Sequence, residues 1–537
     1  MIRIALALSL FARVATAQWW QHAVVYEIYP RSFQDSNGDG IGDLKGITSR
    51  LDYLHDLGID AIWLTPIYPS PQVDFGYDIS NYENIDPQYG TLADFDTLVR
   101  EARRRGVRIL MDMVMNHTSD QHPWFIESRS SRTNAKRDWY VWRDGKGPGQ
   151  PPNNWLALFG HSAWQYDSGT GQYYYHKFYP QQPDLNWRNP AVERAMFRAV
   201  RFWLDRGVAG FRLDAITNLF EDPQLRDERV LGGTNAYGDP NEDDARTDDL
   251  PEVHDVLRSL RVVINSYPGD RVLIGETYLH GPEDLNKMYG KNNDELQLPM
   301  DMQVGLIDTL DATAFRRRIT EAETMVRGNM PLFVFNNHDI HRSWDRYHPA
   351  AARIVATILL ATRATAQMYY GEEIGMTTTT PTRKEDVRDP IGVIGWPREK
   401  GRDGERTPMQ WDATANAGFS TSGSPWLPVP SSSDSVNVAR EQANPGSLLS
   451  WYKRLIALRR TDPAMARGDN AMLDYDSLNV LVWLRKTPGR TVVVACNLSA
   501  QPKTIVLRGA LRPILRSDSA ATGRSLPPYA VYIGAVE

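Results

Sequence analysis

Over about 450 residues of this chain, short apolar runs alternate with amphipathic stretches. That rhythm restricts the fold more than any single motif. The runs are AVVYEIY (Ala23–Tyr29), AIWLTP (Ala61–Pro66), VRILMDM (Val107–Met113), GFRLDAI (Gly210–Ile216), VLIGET (Val272–Thr277), PLFVFN (Pro331–Asn336) and AQMYY (Ala366–Tyr370). A fainter sixth strand in chain order falls near Leu296–Met302. Nearly continuous apolar character marks strands buried on both faces. Helical patterns separate them at Leu44–Leu57, Leu92–Arg105, Val192–Arg206, Val253–Tyr267, Ala312–Val326 and Arg353–Thr365. A strand–helix order repeated in this way predicts the α/β class, as a (β/α)8 TIM barrel.

Two stretches break the rhythm. Residues 118–187, rich in Trp, Tyr, Asn and Gly, read as a domain inserted after strand 3. Their aromatics (Trp139, Tyr140, Trp142, Trp155, Trp164) are expected to form the insert's own core. Residues 377–446, rich in Pro, Thr, Ser and Gly, read as a long excursion before a last helix at Leu448–Arg460. The barrel is therefore expected in two parts, 18–117 and 188–460. From Thr461 the pattern changes to short alternating strands, predicting a C-terminal antiparallel β-sandwich over 461–537.

The start, MIRIALALSLFARVATAQ, has Arg3, an apolar run from Ile4 to Ala12 and Ala15-Thr16-Ala17. It reads as a signal peptide over 1–17, cleaved after Ala17, and predicts a periplasmic or extracellular protein. The run is too short for a membrane anchor, and no other candidate occurs. A net charge of −6 offers no electrostatic footprint for nucleic acid. The single cysteine, Cys496, lies in a strand-like run and reads as buried packing.

In a barrel of this kind the active site lies at the C-terminal ends of the strands. Asp112 is expected to end the third strand, Asp214 the fourth and Glu276 the fifth, with His338 and Asp339 following the seventh. Such groups at neighbouring strand ends are costly to bury without a task. Two carboxylic acids facing across a cleft meet the requirement of glycoside hydrolysis. Arg212, two residues before Asp214, points the same way on a strand. It is expected to lower the pKa of Asp214 and fit it as nucleophile, whereas the drier setting of Glu276 suits a proton donor.

These stretches resemble glycoside hydrolase family 13. DMVMNH (Asp112–His117), GFRLDA (Gly210–Ala215), GET (Gly275–Thr277) and NNHD (Asn336–Asp339) are similar to its four core motifs. QPDLN (Gln182–Asn186), YYGEEIGM (Tyr369–Met376) and GRDGERTPMQWD (Gly401–Asp412) resemble its oligo-1,6-glucosidase and α-glucosidase branch. The resemblance implies Asp214 as nucleophile, Glu276 as acid/base and Asp339 as the third acid, with Asp112, His117, Arg212 and His338 around the same glucose. It further implies that Asp78 and Arg342 hold the non-reducing glucose, so that the enzyme acts on chain ends of short α-glucosides. Retention through a covalent glucosyl-enzyme is implied, with the carboxylates about 5–5.5 Å apart. Ala215, following the nucleophile, leans toward α-1,4 links in maltose and short malto-oligosaccharides; an oligo-1,6-glucosidase, or a transglucosylase or isomerase of the same family, is the alternative. Asn81 and Ala366-Gln367 depart from the branch without removing a catalytic group.

One loop, DSNGDGIGD (Asp35–Asp43), mimics the start of an EF-hand but has Gly46 where the bidentate Glu belongs. Its place between a strand and a helix excludes that motif. The resemblance implies instead one structural Ca2+ or Mg2+ ion held by Asp35, Asn37, Asp39, Asp43 and the Ile41 carbonyl.

Overall fold

The computed structural model describes Gln18–Glu537 apart from His280 and Arg327; the expected signal peptide lies outside the described residues. Eight strands form a closed parallel barrel: β1 (Val24–Ile28), β2 (Ala61–Leu64), β3 (Arg108–Val114), β4 (Gly210–Asp214), β5 (Val272–Gly275), β6 (Leu298–Asp301), β7 (Leu332–Val334) and β8 (Thr365–Tyr369). Closure is made by β8 pairing back onto β1, with Val24 opposite Ala366. Each apolar run of the sequence, the faint sixth included, holds one strand. The strands are almost wholly buried because helices cover them outside and Val25, Trp63, Leu110, Ile274, Met300 and Val334 fill the interior. Each such side chain contributes about 1.5–3 kcal/mol of burial.

The covering helices are α1 (Leu44–Ser49), α2 (Leu51–Leu57), α3 (Leu92–Arg104), α4 (Pro190–Asp205), α5 (Val253–Asn265), α6 (Ala312–Met325), α7 (Ala352–Ala361) and α8 (Leu448–Thr461). Sequence signals fix several of their ends. A reciprocal Thr91–Asp94 capping box starts α3, and Asn189 followed by Pro190 starts α4. The single helix expected over Leu44–Leu57 is two helices, broken at Arg50 (φ −102°, ψ 6°). The hydroxyls of Thr48 and Ser49 bond back to the Leu44 and Gly46 carbonyls, a competition that favours helix ends. Arg50 itself is drawn across Trp411, 4.0 Å from the ring centroid.

Between β3 and α4 the chain forms a three-stranded antiparallel sheet in the order Trp142–Arg143, Gln172–Tyr175, Trp164–Asp167. Trp155, Trp164, Tyr173 and Tyr175 pack together as its core, the role expected for Trp155 and Trp164; Tyr140 and Trp142 instead join the main cluster continuous with the barrel, with Trp139 packed against it. The C-terminal part is a five-stranded antiparallel sheet with a two-stranded ladder, Lys503–Thr504 with Ser525–Leu526. Its strand Val480–Thr487 alternates cleanly. Leu481 and Trp483 pack with the barrel helices, while Val480 and Val482 join Ile505 and Leu526 in a separate core. Cys496 is buried and free, in the neighbouring strand. Among the described residues no helix is long and apolar enough to cross a membrane.

Candidate active site

The loops beyond the C-terminal ends of the strands enclose a cavity of about 710 Å3. Asp214, at the end of β4, lines it together with Glu276, just beyond β5, and Asp339, after β7. Beneath them lies Arg212, fully buried. Its Nη1 donates to Asp214 Oδ1 at 2.6 Å and to Asp112 Oδ1 at 3.0 Å, and its Nη2 donates to Glu276. Glu276 Oε2 also accepts the Ala215 N–H at 2.9 Å. That N–H is turned inward because Ala215 adopts the left-handed conformation (φ 44°, ψ 37°).

Three carboxylates thus share one guanidinium. Burial raises all three, Glu276 and Asp214 to about 7 and Asp112 to about 6, with Arg212 opposing it in each case. The lowered pKa expected for Asp214 is therefore corrected: desolvation outweighs the cation beside it. The group titrates as a unit that retains a proton near neutrality. Asp339 behaves oppositely. Burial would raise its pKa, but His338, Arg402 and Arg406 hold it far below the usual range. Arg402 Nη1 and Arg406 Nη2 both donate to its Oδ1, at 2.9 and 2.7 Å.

His117 lines the cavity, its ring held by Asn116 Oδ1 at 2.9 Å, and burial lowers its pKa to about 3. Tyr77 lines it too, with His338 stacked behind at 5.4 Å between ring centroids. Asp112 lies within β3 rather than at its end and, like Arg212 and His338, forms the buried layer under the cavity. The two residues expected to hold the terminal sugar are placed elsewhere. Asp78 is fully buried and accepts from Ser70 Oγ and the Val73 and Asp74 N–H groups, closing its own loop. Arg342 is buried against Tyr369 and Tyr370 and donates to the carbonyls of Tyr370 and Glu405. The cavity wall carries Asp74 and Arg402 instead, joined at 2.9 Å, with Arg402 also bound to Asp389 at 2.7 Å. This pair stands in the same lining as Asp214, Glu276 and Asp339. Arg402 stands in a stretch already noted, GRDGERTPMQWD, and Asp74 lies four residues before Asp78.

The lining further carries Asp244, Asp248, Asp308, Glu399 and Glu405. The basic groups there are engaged. Lys177 Nζ donates to Thr247 Oγ1 at 2.8 Å, and Arg346 donates to the carbonyls of Gly305 and Phe335. His341 lies 3.4 Å from Glu405.

The Asp35–Asp43 loop lies apart from the residues lining this cavity. Asp35 accepts the N–H groups of Asn37, Gly38 and Gly40 and the Ser420 hydroxyl. Against burial, these partners hold its pKa below the ordinary value. Asp43 accepts from Ser36 and caps α1 through the Gly46 N–H. Gly46 is required there, since a Cβ would lie 1.9 Å from the Gln34 carbonyl oxygen. Among the described residues no cluster of three or more His, Cys, Asp or Glu side chains stands in ligating arrangement. The loop's donor set is nonetheless all oxygen, which is the chemistry a hard cation selects.

A profile of the α-amylase catalytic domain matches residues 27–468. The chain is 42% identical to a probable α-glucosidase of Rhizobium meliloti, covering 90% of each sequence. It is 40% identical to an oligo-1,6-glucosidase of Parageobacillus thermoglucosidasius, covering 91% of this chain and 92% of that one. Among solved structures, the trehalulose synthase of Pseudomonas mesoacidophila superposes with a TM-score of 0.89 at 35% identity, over 97% of this chain and all of that one.

Proposed function

The chain belongs to the α-amylase family of glycoside hydrolases, and from that premise we propose that it is an exo-acting, retaining α-glucosidase. Its proposed substrates are maltose and short malto-oligosaccharides, with α-1,4 links favoured. The observation that carries this reading is one cavity lined by Asp214, Glu276 and Asp339 together with the Asp74–Arg402 ion pair. In the proposed binding mode that pair holds the non-reducing sugar and forms the blind end, so one terminal sugar enters and not the middle of a chain.

In the proposed reaction Asp214 attacks the anomeric carbon as Glu276 gives its proton to the departing glycosidic oxygen. A glucosyl ester on Asp214 results. Glu276, now ionised, takes a proton from water, whose oxygen displaces Asp214 and releases glucose with retained configuration. Burial keeps the Glu276 proton available near neutrality. Asp339, kept ionised by two arginines, accepts hydrogen bonds from sugar hydroxyls. Tyr77 offers an apolar ring face to the sugar. The small side chain of Ala215, beside Glu276, supports the α-1,4 preference.

A second reading, transfer to a sugar or isomerisation, is favoured by the likeness to the trehalulose synthase. Product analysis on maltose, isomaltose and sucrose separates the two. Net glucose release, fastest from maltose and lost about 10³-fold or more in Asp214→Asn, is the expected result; accumulation of an isomeric disaccharide overturns it.

For the Asp35–Asp43 loop we propose one structural Ca2+ or Mg2+ ion, held by Asp35, Asn37, Asp39, Asp43 and the Ile41 carbonyl. When bound it supplies only charge neutralisation to the loop's acids. Export from the cytoplasm is proposed on the sequence of the first 17 residues alone.

A further inference from the structure

Glu27 has no part in the reaction described above, yet it is a fully buried acid inside the barrel. Its Oε1 lies 2.7 Å from His338 Nδ1 and accepts the His338 backbone N–H at 3.2 Å. Its Oε2 accepts from Gln367 Nε2 at 3.2 Å. No Lys or Arg of the described residues pairs with it. The nearest strong cation, Arg212, is engaged by Asp112, Asp214 and Glu276.

The other ring nitrogen of His338 decides where the protons are. Nε2 lies 2.7 Å from Tyr77 Oη and 3.2 Å from Asp339 Oδ2. Asp339 is held ionised by Arg402 and Arg406 and presents a lone pair to Nε2, and the Tyr77 hydroxyl, which has Asp112 Oδ2 within 3.1 Å as an acceptor, is free to accept from Nε2 as well. The carboxylate decides the matter: Nε2 carries a hydrogen. A bare Nε2 would set its lone pair against a carboxylate. With Nε2 protonated, one proton remains to be shared along the short line from Nδ1 to Glu27 Oε1. Imidazolium with carboxylate, or imidazole with carboxylic acid, gives the same net charge of zero.

We propose that Glu27 is a positioning residue that acts through His338. The two form a buried, net-neutral pair that keeps Nε2–H aimed at Asp339 and, on the glucosidase reading, at the sugar hydroxyl Asp339 holds. The groups facing Glu27 are Arg212 from β4, Asp112 from β3, and His338 and Asp339 from the segment after β7. Gln367 and Tyr369 face it from β8. Burial and the acids Asp339 and Asp112 favour the protonated pair over the opposing pull of Arg212 and the His338 N–H, so the shared proton leaves it on the alkaline side.

The test separates a positioning role from a merely structural one. Glu27→Gln offers an amide N–H to Nδ1 and preserves the Nε2–H state; Glu27→Leu does not. The Gln variant is expected to keep kcat/KM within a few-fold at its optimum with an altered alkaline limb. The Leu variant is expected to lose roughly tenfold or more, mainly in kcat, and to lose nothing further when added to His338→Gln. Losses that add in full to those of His338→Gln overturn the proposal. Independently of any activity, 15N spectra of histidine-labelled protein, with His338 assigned by its Gln variant, report the ring protons. Protonated Nε2 in the wild type and a changed pattern in Glu27→Leu are expected. If Glu27→Leu does not fold, the Gln variant and its double with His338→Gln carry both readouts. A wild-type ring with bare Nε2 refutes the assignment even if the enzyme proves to be a glucosidase.

Discussion

Arg212 stands among Asp112, Asp214 and Glu276, and one positive charge cannot compensate three negative ones in a site without water. Glu276 therefore binds its proton more tightly in the fold than in the unfolded chain, with a pKa near 7 against an ordinary value of 4.5. Its contribution to stability is present below about pH 4.5 and is lost as pH rises through about 7. Glu276→Gln removes that loss. The variant is expected to melt about one degree above the wild type at about pH 8, on the order of 1 kcal/mol more stable, with the gap closing below about pH 4.5. Melts at the two pH values check this, and a variant less stable than the wild type at the higher pH sinks it. The same ionisation predicts that kcat/KM falls as pH rises past about 7, because the proton donor is then empty.

Among the elements, double-sided burial made the strands readable, since most are nearly continuous apolar runs, with the sixth the faintest. The break at Arg50 was not readable, because its partner Trp411 comes from the far side of the sequence. Strand ends also announced Asp214, Glu276 and Asp339, whose positions follow from where an apolar run stops. Loop positions were less legible. Between Asp74 and Asp78 two residues have positive φ, Phe75 at 47° and Gly76 at 113°. The reversal buries Asp78 and gives the cavity wall to Asp74. Arg402 was hidden for a related reason: it sits in a strandless excursion whose path no periodicity reports. The Asp35–Asp43 loop carries its own prediction. Removing divalent cations with a chelator is expected to lower Tm by several degrees and speed proteolysis within the loop, leaving kcat of the surviving folded enzyme nearly unchanged. An unaltered Tm and cleavage rate count against the ion.

Across the whole molecule, the cavity is assembled from strand ends, loops of the inserted domain and the 377–446 excursion, and its lining beyond the catalytic acids is acidic. The five acids there outnumber Lys177 and Arg346, whose hydrogen bonds go to uncharged groups, so a negatively charged leaving sugar meets a net like charge. Maltose carrying a phosphate on its reducing glucose is expected to be cleaved roughly tenfold or more less efficiently than maltose, the penalty shrinking at high salt. Equal kcat/KM for the two refutes this. The proposed blind end has a different origin. It is a knot of charges, Arg402 tied to Asp74, Asp339 and Asp389, and not a turn of barrel backbone. On the glucosidase reading, the restriction to chain ends thus hangs on one arginine of a tethered segment. Its loss would free three acids, Asp74, Asp339 and Asp389, of a shared cation while the barrel strands stayed as they are.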